Sequence, residues 1–161
     1  KAGLISLAPE LVTLDVDAFI SHGVLAVEHE RNNRFEAALE YYGKAIDIYQ
    51  GDYFSEELYL EWISRKRDLF RAKYIELLQK KAMLHEEMDQ VDSAVAAWRR
   101  ILETDPCFEA AYQNLMILYA DSGQKNRALE IFQECQSILK QDLSTNPDSQ
   151  TIRIYNAIKS R

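Results

Sequence analysis

A small residue followed four positions later by a bulky aromatic recurs along this 161-residue chain at a fixed offset. Ala94, Trp98 and Pro106 stand 34 residues before Ala128, Phe132 and Lys140 (128 − 94 = 34), and Ala38, Tyr42 and Ala45 form another copy. On an α-helix, positions i, i+4 and i+7 share one face. Each copy therefore reads as a seam whose compact residues let a neighbouring helix approach around the aromatic. Self-similarity at this period marks stacked helical hairpins. A chain built in this way offers a surface for holding other molecules and no enclosed catalytic pocket.

Five Gly and three Pro in a chain that is 47% hydrophobic leave little material for loops, which favours helices throughout. The longest wholly apolar stretches, such as residues 24–27, are far too short to span a bilayer, so no membrane partner is expected. Net charge is −7, with four basic and eleven acidic side chains in residues 1–60 but nine basic and seven acidic in 61–100. An acidic chain is a poor stand-alone nucleic-acid binder, since phosphate neutralisation dominates that affinity. Cys107 and Cys135 fit no metal spacing and read as reduced structural thiols of a cytoplasmic protein. The opening KAGLISLAPE has neither an initiator Met nor a long apolar core, and reads as a cut point in a longer protein.

Residues 4–7 and 11–14 are short β-prone runs around Ala8-Pro9-Glu10, predicting a small hairpin, either the last strands of a preceding domain or a strap lying against the helices. Helices are predicted over 16–32, capped by Asp15 or Asp17 with Phe19, Val24 and Val27 among its apolar positions, and over 35–49. Asn32-Asn33 separates them, and Gln50-Gly51-Asp52 stops the second. From Ala38 to Ala94 is 56 residues, one period plus 22. The surplus predicts an unusually long helix over 57–88, with a break near Trp62 and an apolar stripe of Ile63, Phe70, Tyr74, Leu77, Leu84 and Met88. Further helices are predicted over 91–104, 107–121 with Pro106 near its first turn, 125–142, and 149–159, the last burying Ile152, Tyr155 and Ile158. Short connections make successive helices antiparallel neighbours. The expected fold is an all-α, right-handed α-α superhelix with a short N-terminal β-hairpin remnant.

Catalytic and cofactor chemistry finds no support. His22, His29 and His85 have Ala26, Asn33 and Asp89 four residues on, so no helix turn presents two imidazoles to zinc. No phosphate-cradling loop exists, because the glycines stand at helix ends and in the N-terminal hairpin, with Gly43 inside a helix. The chain is expected to be no enzyme and to need no cofactor or metal. Lys66, Lys73 and Lys80 recur every seven residues in a column beside the apolar stripe. They are candidate contacts for a partner or for phosphate, weighed against a solvated face that pairs with Asp68 and Glu76.

The 34-residue code resembles the tetratricopeptide repeat. The longer order of residues resembles the bacterial transcriptional activator domain: Asp15 to Phe19, Ala38-Leu39, Tyr49 to Phe54, Trp62, Arg67, Asp105-Pro106, Glu109, Leu115-Met116, Tyr119, Gly123, Ala128-Leu129, Phe132, Leu139, Leu143, Pro147 and Thr151. Ser144 stands where the family pattern has Gly. The resemblance implies that residues 1–14 are the last strands of an upstream winged helix and that 15–161 form the tetratricopeptide-like domain. It also implies a role in bacterial transcription regulation. The helical domain would act there by self-association or protein contact, while DNA is bound by the upstream winged helix. A general adaptor that holds a peptide in a concave groove is the alternative.

Overall fold

The computed structural model describes residues 15–51 and 61–160, and the side chains of 61–63 are not among those described. The expected hairpin in 1–14, the stretch 52–60 with the expected helix start at 57, and the side chain of Trp62 lie outside the described residues. Seven helices make up the described residues: α1 Asp15–Arg31, α2 Phe35–Ile48, α3 Glu61–Glu87, α4 Val91–Thr104, α5 Glu109–Asp121, α6 Lys125–Asp142 and α7 Ser149–Ser160. The chain forms two compact units, Lys1–Leu77 and Leu78–Arg161.

In the first unit α1 packs along α2. Phe19, Gly23 and Ala26 form the buried side of α1, while Val24 faces solvent and Val27 is half-buried. The glycine pattern therefore differs from expectation: Gly23 lies inside a helix as well. A Cβ at Gly23 would sit 3.3 Å from Leu77 Cδ2, a tight approach that this leucine could meet only by shifting a few tenths of an ångström. Phe19 meets Phe70 edge-on, and Tyr49 stacks on Tyr74 with ring centroids 4.1 Å apart.

In the second unit α4 packs on α5, α5 on α6, and α7 lies against both α5 and α6. Trp98, Ile101, Tyr112, Leu115, Met116, Cys135 and Leu139 fill its centre. Pro106 falls outside α5, which starts two residues later than the sequence suggests. The Asp105 carboxylate accepts a hydrogen bond from the Cys107 N–H at 3.1 Å and holds a turn there. Along α7, Ile152 is exposed and Thr151 is buried in its place, with Ile158. The apolar stripe of α3 is also broader than expected. Tyr74, Leu77 and Leu84 are buried, Phe70 and Met88 are half-buried, and Ile75, Leu78 and Ala82 are buried as well.

The same turn closes three helix hairpins. Asn33, Asp89 and Gly123 have φ of 54, 57 and 74°, at offsets of 56 and 34 residues (89 − 33 and 123 − 89). After each, an N–H reaches back five residues to a carbonyl: Arg34 to His29 at 2.9 Å, Gln90 to His85 at 2.8 Å and Gln124 to Tyr119 at 2.7 Å. The left-handed residue itself donates three residues back. This is the pair of bonds that satisfies the last carbonyls of a helix before the chain reverses. Ser144, with φ 55°, keeps a left-handed turn without glycine.

Candidate interaction surface

The lysine column does not stand uniformly in solvent. Lys66 is exposed, whereas Lys73 and Lys80 are half-buried, and Lys80 belongs to the second compact unit while the other two belong to the first. Lys73 Nζ pairs with Glu76 at 2.9 Å, one helical turn on. Lys66 and Lys80 also interact with other groups. Asp68 is exposed beside them. The α3 surface is thus a mixed-charge face with Lys66 its most accessible ammonium among the three.

All the compact and aromatic seam positions are buried: Ala38, Tyr42 and Ala45 on α2, Ala94 and Trp98 on α4, Ala128 and Phe132 on α6. The counterparts of Ala45 are Ile101 and Cys135 (45 + 56 and 101 + 34), both fully buried, so the compact third position widens in the later copies. The aromatics with a polar atom bury it against a carboxylate twelve residues earlier. Tyr42 donates its phenol O–H to Glu30, and Trp98 donates Nε1–H to Glu86 Oε1 at 2.6 Å. Burial, reinforced by Glu30, holds the Tyr42 phenol far above its ordinary range, so it keeps the proton that it donates. At the third copy Phe132 has no donor, and the residue twelve earlier is Ala120. Phe132 stacks instead on Tyr155 of α7, with centroids 4.0 Å apart. The sequence carried this signal in Glu30, Glu86 and Ala120, at the same 56- and 34-residue offsets.

In the second unit a cleft of about 220 Å³ is lined by Arg99, Tyr119, Arg127, Glu130, Ile131 and Glu134. Arg99 Nη1 donates to both Glu134 oxygens at 2.9 and 2.8 Å, and Arg127 lies over the Tyr119 ring at 5.6 Å. Two cations balanced by two carboxylates can hold a polar group. In the first unit an apolar cleft of about 120 Å³ is bordered by Phe19, Ile48, Tyr49 and Phe70. His22 and His29 both lie against the Tyr41 ring, at 5.8 and 5.1 Å. Among the described residues no cluster of His, Cys, Asp and Glu is arranged to hold a metal ion, and no helix is long and apolar enough to cross a membrane.

A second polar junction, which sequence reasoning missed, fastens α7. The Asp148 carboxylate accepts from the Thr151 N–H at 2.7 Å. Glu109 on α5 accepts from the Asp148 N–H at 2.9 Å and from Thr151 Oγ1–H at 2.8 Å. Gln113 Nε2 donates to Thr151 Oγ1 at 2.8 Å. This is a helix cap whose reciprocal glutamate comes from a neighbouring helix.

Residues 14–159 match the family model of the bacterial transcriptional activator domain. The chain belongs to this family. As a bacterial transcriptional activator domain it is similar in fold to EmbR of Mycobacterium tuberculosis, solved in complex with a low-affinity phosphopeptide. The TM-score is 0.73 at 16% identity, over 91% of this chain and 38% of that one. This chain therefore spans well under half of the EmbR chain. The domain is also similar to the TPR2B domain of yeast Sti1, solved as a complex with pHsp70 (TM-score 0.59, 12% identity, 89% of this chain and 97% of that one). A further neighbour is BtubC of P. vanneervenii (TM-score 0.59, 19% identity, 94% of this chain and 59% of that one). At these identities the likenesses establish a tetratricopeptide-like helical fold. No curated protein sequence matches the chain.

Proposed function

We propose that this chain is the non-catalytic regulatory domain of a bacterial DNA-binding transcriptional activator, working in the cytoplasm through self-association or contact with a partner protein. The observation that carries this reading is the family match across residues 14–159. The three hairpins support it, because their seam side chains are buried and leave the outer helix faces as the working surface. In this reading residues 1–14 are the end of an upstream winged helix, which binds DNA, and the column of Lys66, Lys73 and Lys80 meets an acidic partner or phosphate. The test removes residues 15–160 from the regulator that carries them and measures promoter binding and reporter transcription together. Retained binding with lost activation is the expected result. Unchanged activation would overturn the proposal.

One observation favours the peptide-adaptor reading as a second possibility. Met83 on α3 and Ile117 on α5 occupy equivalent positions (117 − 83 = 34) in the second unit, and both are exposed. An extended peptide with apolar side chains could cover them. Titration calorimetry with such peptides, compared against Met83→Lys, separates the two readings.

A further inference from the structure

Among the described residues, eight large apolar side chains are exposed, and three of them, Ile20, Val24 and Leu25, belong to α1. Along the chain, no two of the others, Leu69, Met83, Ile117, Leu143 and Ile152, fall within one helical turn of each other. Ile20 and Val24 are 44% and 60% exposed and sit one turn apart, with half-buried Val27 next along the same face. Asp17 precedes this apolar run and Arg31 follows it, and both are exposed. The positions 17, 20, 24, 27 and 31 are spaced by three, four, three and four residues, the spacing of a seam that pairs with another helix.

The order of charges says which helix fits. Asp17 and Arg31 lie at equal distances from Val24 (24 − 17 = 31 − 24), one in the first turn of α1 and one in the last. Turn a second α1 antiparallel about an axis through Val24 and each Asp17 faces the other copy's Arg31, while Ile20 and Val27 pack on either side of the axis. A parallel pair would oppose like charges at both ends. Among the described residues neither Asp17 nor Arg31 has an ion-pair partner within its own chain. We infer that the exposed face of α1 is a self-complementary surface that docks a second copy of this chain, helix against antiparallel helix. This rests on the proposed regulatory role and names the partner. A single pair of helices roughly 25 Å long covers less than a standard interface of about 1,600 Å². The association is therefore weak and reversible.

Sedimentation velocity of the 161-residue chain across a micromolar-to-millimolar series tests this, with four variants alongside the unchanged chain. Arg31→Glu and Asp17→Lys each place like charges at both ends of the pair and raise the dissociation constant about tenfold. The double variant restores the pairing in reversed order and returns affinity to within about twofold of the original. Val24→Glu, at a site already facing solvent, abolishes association, and circular dichroism verifies that its helices remain. A dimer indifferent to all four changes overturns the α1 pairing and leaves self-association standing through another face. Weakening by the single reversals without rescue by the double overturns it also. A chain monomeric throughout, in a regulator that still activates its reporter, overturns the pairing but not the regulatory role.

Discussion

Trp98 is only 2% exposed, and its one polar atom is spent on Glu86. Truncation to Ala leaves a cavity and costs about 3–5 kcal/mol, measurable by urea unfolding. Glu86→Ala keeps the ring but leaves a buried N–H without its acceptor, at about 1–3 kcal/mol. A loss from Trp98→Ala below the cost of Glu86→Ala would show that the ring is not the seam's anchor. Cys135 offers a chemical readout of the same packing. Burial pushes its thiol up to about 12, and neighbouring acidic groups add to the shift. Alkylation at neutral pH should therefore label half-buried Cys107 first, and should reach Cys135 only with unfolding. Mass spectrometry of the labelled peptides reads this directly, and early labelling at Cys135 would contradict the burial.

At the scale of elements, the three equivalent turns make a graded series. Gly123 has open space where a Cβ would go, so the cost of Gly123→Ala is purely that of a left-handed alanine, about 1–2 kcal/mol. Asp89→Gly relieves the same strain and should be neutral or slightly stabilising. Equal destabilisation by both would mean that these turns are held by something other than their φ. The cap of α7 predicts a pH response. The Thr151 N–H, with further hydrogen bonds, holds the Asp148 carboxyl below its ordinary value of 3.8. The ionised form is therefore favoured in the folded state. Its contribution is complete above the ordinary value and fades as pH falls through the lowered one. Protection of the α7 amides from hydrogen exchange, taken relative to the intrinsic rate at each pH, should fall at pH values below about 4, and Asp148→Ala should flatten that dependence. Most element boundaries were legible in the sequence because each hairpin turn announces itself with Asn, Asp or Gly, and because Ala38, Ala94 and Ala128 recur with their aromatics. The buried sides of α1 and α7 were less legible. Gly23 and Thr151 gain their places from neighbours, Leu77 in one case and Glu109 with Gln113 in the other, and single-helix periodicity gives a small or polar residue no credit for that.

For the whole molecule, the question is which charges serve the fold and which serve its partners. Reversing Lys66, Lys73 and Lys80 together to Glu sacrifices the Lys73–Glu76 pair and the further contacts of Lys66 and Lys80, surface interactions worth about 0–1 kcal/mol each. In a chain of this length, each 1 kcal/mol lost lowers melting by about 2–4 °C, so the fall should be a few degrees. Affinity for an acidic partner should fall far more, and a melting loss of many degrees would make the column structural. The lysine column was visible as spacing, but the uneven burial of its members depends on neighbouring helices that heptad arithmetic does not contain. The candidate surface on α1 was hidden for the opposite reason: Val24 and Val27 read as core until Gly23 and Ala26 are seen to occupy the buried side. The repeated turn has a kinetic corollary. Each hairpin reversal closes between groups five residues apart along the chain, so very little backbone entropy is spent before its first native contacts form. Nucleation can then begin at Asn33, at Asp89 or at Gly123, and refolding should be fast, with a rate only weakly sensitive to which of the three is impaired.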